Sequence, residues 1–161
     1  MPILNYTTGV GVLKTAGEIQ GLLVSKGAKS INMDFENGEP IAIWFKIEMG
    51  ASEMSFRLPC NWKNVEKVMN RDPKCPPRFK NSEQAKRVAW RIVKDWVEAQ
   101  LAIIESGQVE MAEAFFPYVM IPGLHQTLFQ HVKERPRLLL GAGDSDPERD
   151  NVIDGGFQKT G

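Results

Sequence analysis

Arg87, Arg91 and Lys94 follow one another at intervals of four and three, so a helix would project all three from one face. Just ahead of them, Arg78-Phe79-Lys80 makes a basic approach segment. Guanidinium groups on a rigid helix suit phosphate or carboxylate recognition, because their forked donors match two oxygens at once. These cations belong to the most basic part of the chain. Residues 61–94 hold ten Lys and Arg against three Asp and Glu, a net +7, whereas residues 1–60 carry −1 and residues 95–161 carry −6. The formal charge of the whole is zero, and such asymmetry says more about partners than the total does. The competing reading is that the charged face simply meets solvent, with Glu98 pairing to Lys94 four residues before it.

A second arrangement involves Trp44 and Arg57. By parity with Ile43 and Phe45, Trp44 points away from the apolar face of its strand, near where Arg57 emerges from the next one. An indole beside an arginine can stack on a base or a nucleotide ring; alternatively a loop, another helix or a second subunit covers it. The candidate ligand-binding set is therefore Arg57, Arg78, Lys80, Arg87, Arg91, Lys94 and Trp44, for an anionic ligand such as a nucleotide or nucleic acid. A third feature is the apolar run at residues 115–122, FFPYVMIP. It either folds back on the long helix or buries itself in a partner. As an interface its commonest solution is a homodimer.

Signatures of catalysis are missing. His125 and His131 stand six apart, on opposing sides of a helix and not one face. No G-x-S-x-G, P-loop, G-x-G-x-x-G or H-E-x-x-H occurs, and nothing calls for a cofactor or a metal. Asp144, Asp146 and Asp150 imitate a calcium loop, but Pro147 falls among the ligand positions. Scattered carboxylates leave open a metal-dependent nuclease or phosphodiesterase.

The elements that must position these groups are legible in outline. Thr15 with Glu18 reads as a capping box opening a first helix that Gly27 stops. Ile31, Met33 and Phe35, then residues 41–49, then Met54, Phe56 and Leu58 alternate as strands, joined by the Asn37-Gly38 hairpin signal. Trp62, Val65 and Met69 suggest a short helix, and Pro73, Pro76 and Pro77 prevent its continuation. Asn81 and Gln84 then open a long helix over about 82–106. Its apolar stripe is Ala85, Val88, Ile92, Trp96, Ala99 and Ile103, widened by Val93 and Leu101, which places Trp96 in the core and Trp90 off the stripe, at an interface. Further helices are expected over about 108–116 and 124–134.

The expected fold is α+β: a three-stranded antiparallel meander packed against a long helix, with a helical C-terminal half. Residues 1–135 form one domain, and 136–161 read as a flexible acidic tail. A chain of 161 residues, 42% hydrophobic and 25% charged, fits that count. Apolar runs as short as residues 22–24 and 138–140 exclude a membrane helix. The start of the chain has neither the basic opening nor the apolar stretch of a secretory signal, so the expected location is cytoplasmic. Cys60 and Cys75, with no partner cluster, fit thiols in a reducing compartment.

The strings AKRVAWRIVKDWVEAQLAIIESG, MAEAFFPYVM and TLFQH, with SINMDF, IAIWFKI and MSFRLP upstream, resemble a type of small uncharacterised bacteriophage or prophage protein over roughly residues 10–135. That type carries no assigned activity, so no residue role transfers. The resemblance implies a context: accessory factors acting in the host cytoplasm that bind a host protein, a nucleic acid or a signalling nucleotide, including inhibitors of host immunity. Helix-strand-strand-strand-helix is also the element order of double-stranded RNA-binding domains, but the lysine-rich start of their last helix is absent here. The leading expectation is a non-catalytic binding protein for an anionic partner. The alternative is a protein-protein inhibitor acting through residues 115–122.

Overall fold

In the computed structural model, which describes residues 2–141, helix α1 (Val12–Ser25) leads into an antiparallel meander. Its strands lie in the order β1 (Ser30–Glu36), β2 (Glu39–Met49) and β3 (Ser52–Pro59). Helices α2 (Trp62–Arg71) and α3 (Ser82–Glu105) follow, then three short ones, α4 (Met111–Ala114), α5 (Leu128–Glu134) and α6 (Arg137–Leu140). This is the expected α+β architecture.

The turn from β1 to β2 places Asn37 and Gly38 at φ 52° and 78°. Positive φ at both central residues matches the twist of the flanking strands, which is the physical content of the Asn-Gly signal. The register sets Trp44 between Asn32 on β1 and Arg57 on β3. A shift between Asp34 and Phe35 interrupts the alternation in β1. Phe35 is therefore 58% exposed and does not share the core face with Ile31 and Met33.

On the inner face, Phe45 and Phe56 stack at 5.0 Å and Phe115 meets Phe45 edge-on at 5.4 Å. Helix α1 contributes Ala16, Ile19 and Leu23 to this core, and α3 contributes Ala89, Trp90, Val97 and Leu101. A smaller core joins α2 to the first half of α3 through Met69, Cys75, Ala85 and Val88. Because α1, α2 and the sheet surround α3, its buried face is rotated from the expected stripe. Trp90 is fully buried, not at an interface, and its Nε1 donates to the Pro40 carbonyl at 3.3 Å. Trp96 is half-buried and meets Phe115 and Tyr118 edge-on, while Ala99 and Ile103 are exposed.

Several boundaries also differ from expectation. Helix α1 begins a turn early, behind Gly11, so Thr15 is an interior core residue whose hydroxyl finds no partner. Val12 packs against the core, and that burial extends the helix past the apparent cap. Asn81 does cap α3, its side chain accepting from Gln84 N at 2.9 Å. The Gln84 side chain does not complete a box; it donates to the Tyr6 and Thr8 carbonyls at 2.9 and 2.8 Å and ties down the N-terminal segment.

The two expected C-terminal helices shrink to α4 and α5, because the chain between them pairs with the sheet. Phe56 bridges Val119, Met120 bridges Thr127, and Met120 N donates to Ser55 O at 2.8 Å. A small hairpin thus lies along β3, turning through Gly123 and His125 at positive φ. Arg137–Leu140 forms a helical turn inside the stretch read as a tail. The acidic remainder, with Asp144, Asp146 and Asp150, lies outside the described residues.

Candidate functional site

Two of the three cations expected on the basic helix face are already ion-paired within the fold. Arg91 Nη1 meets Glu18 Oε2 at 2.6 Å, and Lys94 pairs with Glu98 and stands 4.0 Å from Glu18. Glu18, freed from the expected capping role, binds α1 to α3 through these cations. Lys86 is buried, with Glu39 and Glu83 each at 2.8 Å. Its bonds to Glu39 and then Glu83 hold the ammonium pKa up against the opposing effect of burial. The Glu83 carboxyl is held down, chiefly by Lys86. In the approach segment, Lys80 Nζ donates to Asn70 O at 3.2 Å and Arg78 lies over the Phe79 ring at 4.8 Å. Arg87 has no ion-pair partner among the described residues, but Arg91 and Lys94 beside it are engaged. The cations expected to converge are spread between helix bracing and a loop.

On the outer face of the sheet the arrangement is different. Asp34, Trp44 and Arg57 come from three adjacent strands, and alternation puts all three on one side. A single oxygen, Asp34 Oδ2, accepts from Trp44 Nε1 at 2.7 Å and from Arg57 Nε at 2.8 Å. Burial pushes the Asp34 carboxyl pKa up, but the Trp44 and Arg57 hydrogen bonds and the Arg57 charge outweigh it and hold it below 3.8. The guanidinium carbon lies 5.9 Å from the indole centroid. Among the described residues Arg57 is bonded only through Nε, so both Nη groups keep their donors.

The β3-flanking hairpin walls this pair in. Met120, His125 and Gln130 join Trp44 and Arg57 around a cleft of about 370 Å³. Gln130 Oε1 accepts from Thr127 N at 2.8 Å in the capping box of α5, which leaves its Nε2 as a donor. A contiguous cleft of about 400 Å³ continues past Trp44 between Met54 and residues 119–123. No family model matches the chain, and neither a curated protein nor a solved structure proves similar to it. The site therefore stands on its own geometry.

Of the expected ligand-binding residues, Trp44 and Arg57 line one cleft together, and Arg78, Lys80, Arg87, Arg91 and Lys94 are not among the residues lining it. Asp34 fell on the correct face by parity, but the Asn37-Gly38 turn alone would pair Trp44 with Ile31, and the register shift between Asp34 and Phe35 is what brings Asp34 and Trp44 to one face. Met120, His125 and Gln130 carried no such signal, since only the folded hairpin brings them to the sheet.

Cys60 and Cys75 are both buried thiols, and burial pushes Cys60 up to about 12, so neither is a ready nucleophile. Among the described residues no group of three or more His, Cys, Asp or Glu could hold a metal ion, and no helix is long and apolar enough to cross a membrane. In the run at 115–122 only Phe115 is fully buried; Tyr118, Val119, Met120 and Ile121 are half-buried, Val119 bridging Phe56 and Met120 bridging Thr127, while Phe116, Pro117 and Pro122 are exposed.

Proposed function

We propose that this chain is a non-catalytic binding protein for an anionic partner, a nucleotide or nucleic acid, engaged at the outer face of the sheet. One observation carries the reading. Asp34 fixes Arg57 through Nε and Trp44 through Nε1, so a flat aromatic surface and an unengaged guanidinium fork stand side by side at the mouth of a cleft. Preorganised donors bind at lower entropic cost than free side chains. Arg57 and Trp44 are the ligand-binding residues in this reading; Arg91 and Lys94 brace the fold. The resemblance noted in the sequence supports a phage-type accessory role in the host cytoplasm, including inhibition of host immunity.

The test is a comparison of two arginines by titration calorimetry with nucleotides and short oligonucleotides. Charge-assisted hydrogen bonds contribute about 1.5–3 kcal/mol, so Arg57→Ala weakens binding by about 10- to 100-fold. Arg87→Ala changes it by less than about 3-fold. The reverse order would return the site to the helix. A second reading, a protein partner at the apolar segment, has one observation in its favour: Phe116 joins Met49 and Met54 around an apolar groove of about 390 Å³. Complex formation through that groove would hardly respond to salt, whereas binding to phosphates weakens as salt rises.

A further inference from the structure

Trp44, Met120 and His125 belong to both outer-face clefts, so the indole stands between two compartments of different chemistry. On one side are the Arg57 fork and the Gln130 amide. On the other are the apolar Met54, Val119, Ile121 and Pro122, with Glu53 and Ser55 at its sheet side. Each compartment, at about 370 and 400 Å³, has the size of a small-molecule pocket, for which about 300–1,000 Å³ is usual. A ligand spanning the two needs an anionic end and a flat, largely apolar end.

The charges around the clefts limit how many phosphates can be held. Lys46, on the same sheet face, is paired with Glu53 at 3.7 Å, and Lys29 is paired with Glu48 at 3.6 Å. Each of these ammonium charges thus stands against a carboxylate, and of the outer-face cations of the sheet only Arg57 lines either cleft. A nucleic-acid strand is held by a track of cations following its backbone, with aromatic platforms for successive bases. This face offers one fork and one indole. The site is also close to neutral, because Asp34 offsets Arg57 at 2.8 Å. A triphosphate would bring several negative charges to a site with no net positive charge and a single guanidinium fork to receive them.

Resting on the reading above, we infer that the ligand is a mononucleotide with a single phosphate, its base stacked on Trp44 and its phosphate held by Arg57 with Gln130. The base extends from the indole toward Met54 and Val119, and the phosphate oxygens take the two Nη donors.

Calorimetry on the full chain tests this with four probes: ribonucleoside 5′-monophosphates, the matching nucleosides, the triphosphates and a decanucleotide of mixed sequence. The expected result is that a monophosphate binds, its nucleoside binds at least about tenfold more weakly, and neither triphosphate nor decanucleotide binds more tightly than the monophosphate. Binding should weaken with salt at a slope corresponding to about one phosphate contact. Arg57→Lys keeps a charge beside Asp34 and the fold but removes the fork, so it should weaken the monophosphate by about tenfold with only a small fall in the unfolding midpoint. A decanucleotide binding at least about tenfold more tightly, with a steeper salt slope, overturns the single-phosphate inference and leaves the anion-binding reading standing. Equal binding of nucleoside and monophosphate overturns the arginine-phosphate contact. Silence from all four probes sinks inference and reading together.

Discussion

Arg91 and Arg57 each meet a carboxylate at hydrogen-bond distance, yet they are left in opposite conditions. Arg91 is bonded to Glu18 through Nη1, at the far end of its guanidinium, and so points its fork into a helix-helix brace. Arg57 is bonded to Asp34 through Nε, at the near end, and so points its fork outward. The same contrast separates the two tryptophans nearest them. Trp90 is buried with its N–H on a backbone carbonyl, and Trp44 is half-buried with its N–H on the side chain that also holds Arg57. Net charge along a segment therefore says little about availability. Which nitrogen is engaged decides whether a cation is structural or free to bind.

The largest expected difference between the two regions is in stability. Trp90→Ala empties the centre of the core and should cost about 3–5 kcal/mol in denaturant unfolding. Trp44→Ala, at a half-covered surface, should cost only about 1 kcal/mol while greatly weakening nucleotide binding. Equal losses would dissolve the distinction. Arg91→Met comes next: loss of the Glu18 brace should lower stability by about 1 kcal/mol with ligand affinity unchanged, and a fall in affinity would tie α3 to the site.

The smallest effect is with pH. The folded Asp34 pKa lies below 3.8, so its contribution to stability is complete above that value and is lost as pH falls through the lower folded pKa. An NMR titration should place its midpoint below 3.8, and Arg57→Lys should raise it. A midpoint at or above the ordinary value would mean that Asp34 does not hold the pair.

The sheet was the most legible part of the sequence, because period-two alternation and an Asn-Gly turn are local signals, although the shift between Asp34 and Phe35 displaces the register that the turn alone would set. Asn81 and the extent of α3 were legible from other local signals, a capping side chain and an apolar period of three to four. The rotation of α3 was not: with apolar residues on much of its circumference, only the simultaneous packing of α1, α2 and the sheet selects Trp90 over Trp96 for the centre. Nor were the ion pairs, since Glu18 and Arg91 are 73 residues apart and nothing local joins them. Trp44 and Arg57 were found by strand parity. The cleft walls were missed because residues 119–128 read as loop and helix, while their backbone groups are satisfied by β3 and by each other.

The hairpin that walls the cleft also leaves the sheet with unequal sides. Val119 and Met120 occupy the middle of the β3 margin, whereas β1 has no strand beyond it among the described residues. Extension of the sheet by another chain therefore meets no covering strand at β1, whereas at β3 it would have to displace the contacts that Val119 and Met120 make with Phe56 and Ser55.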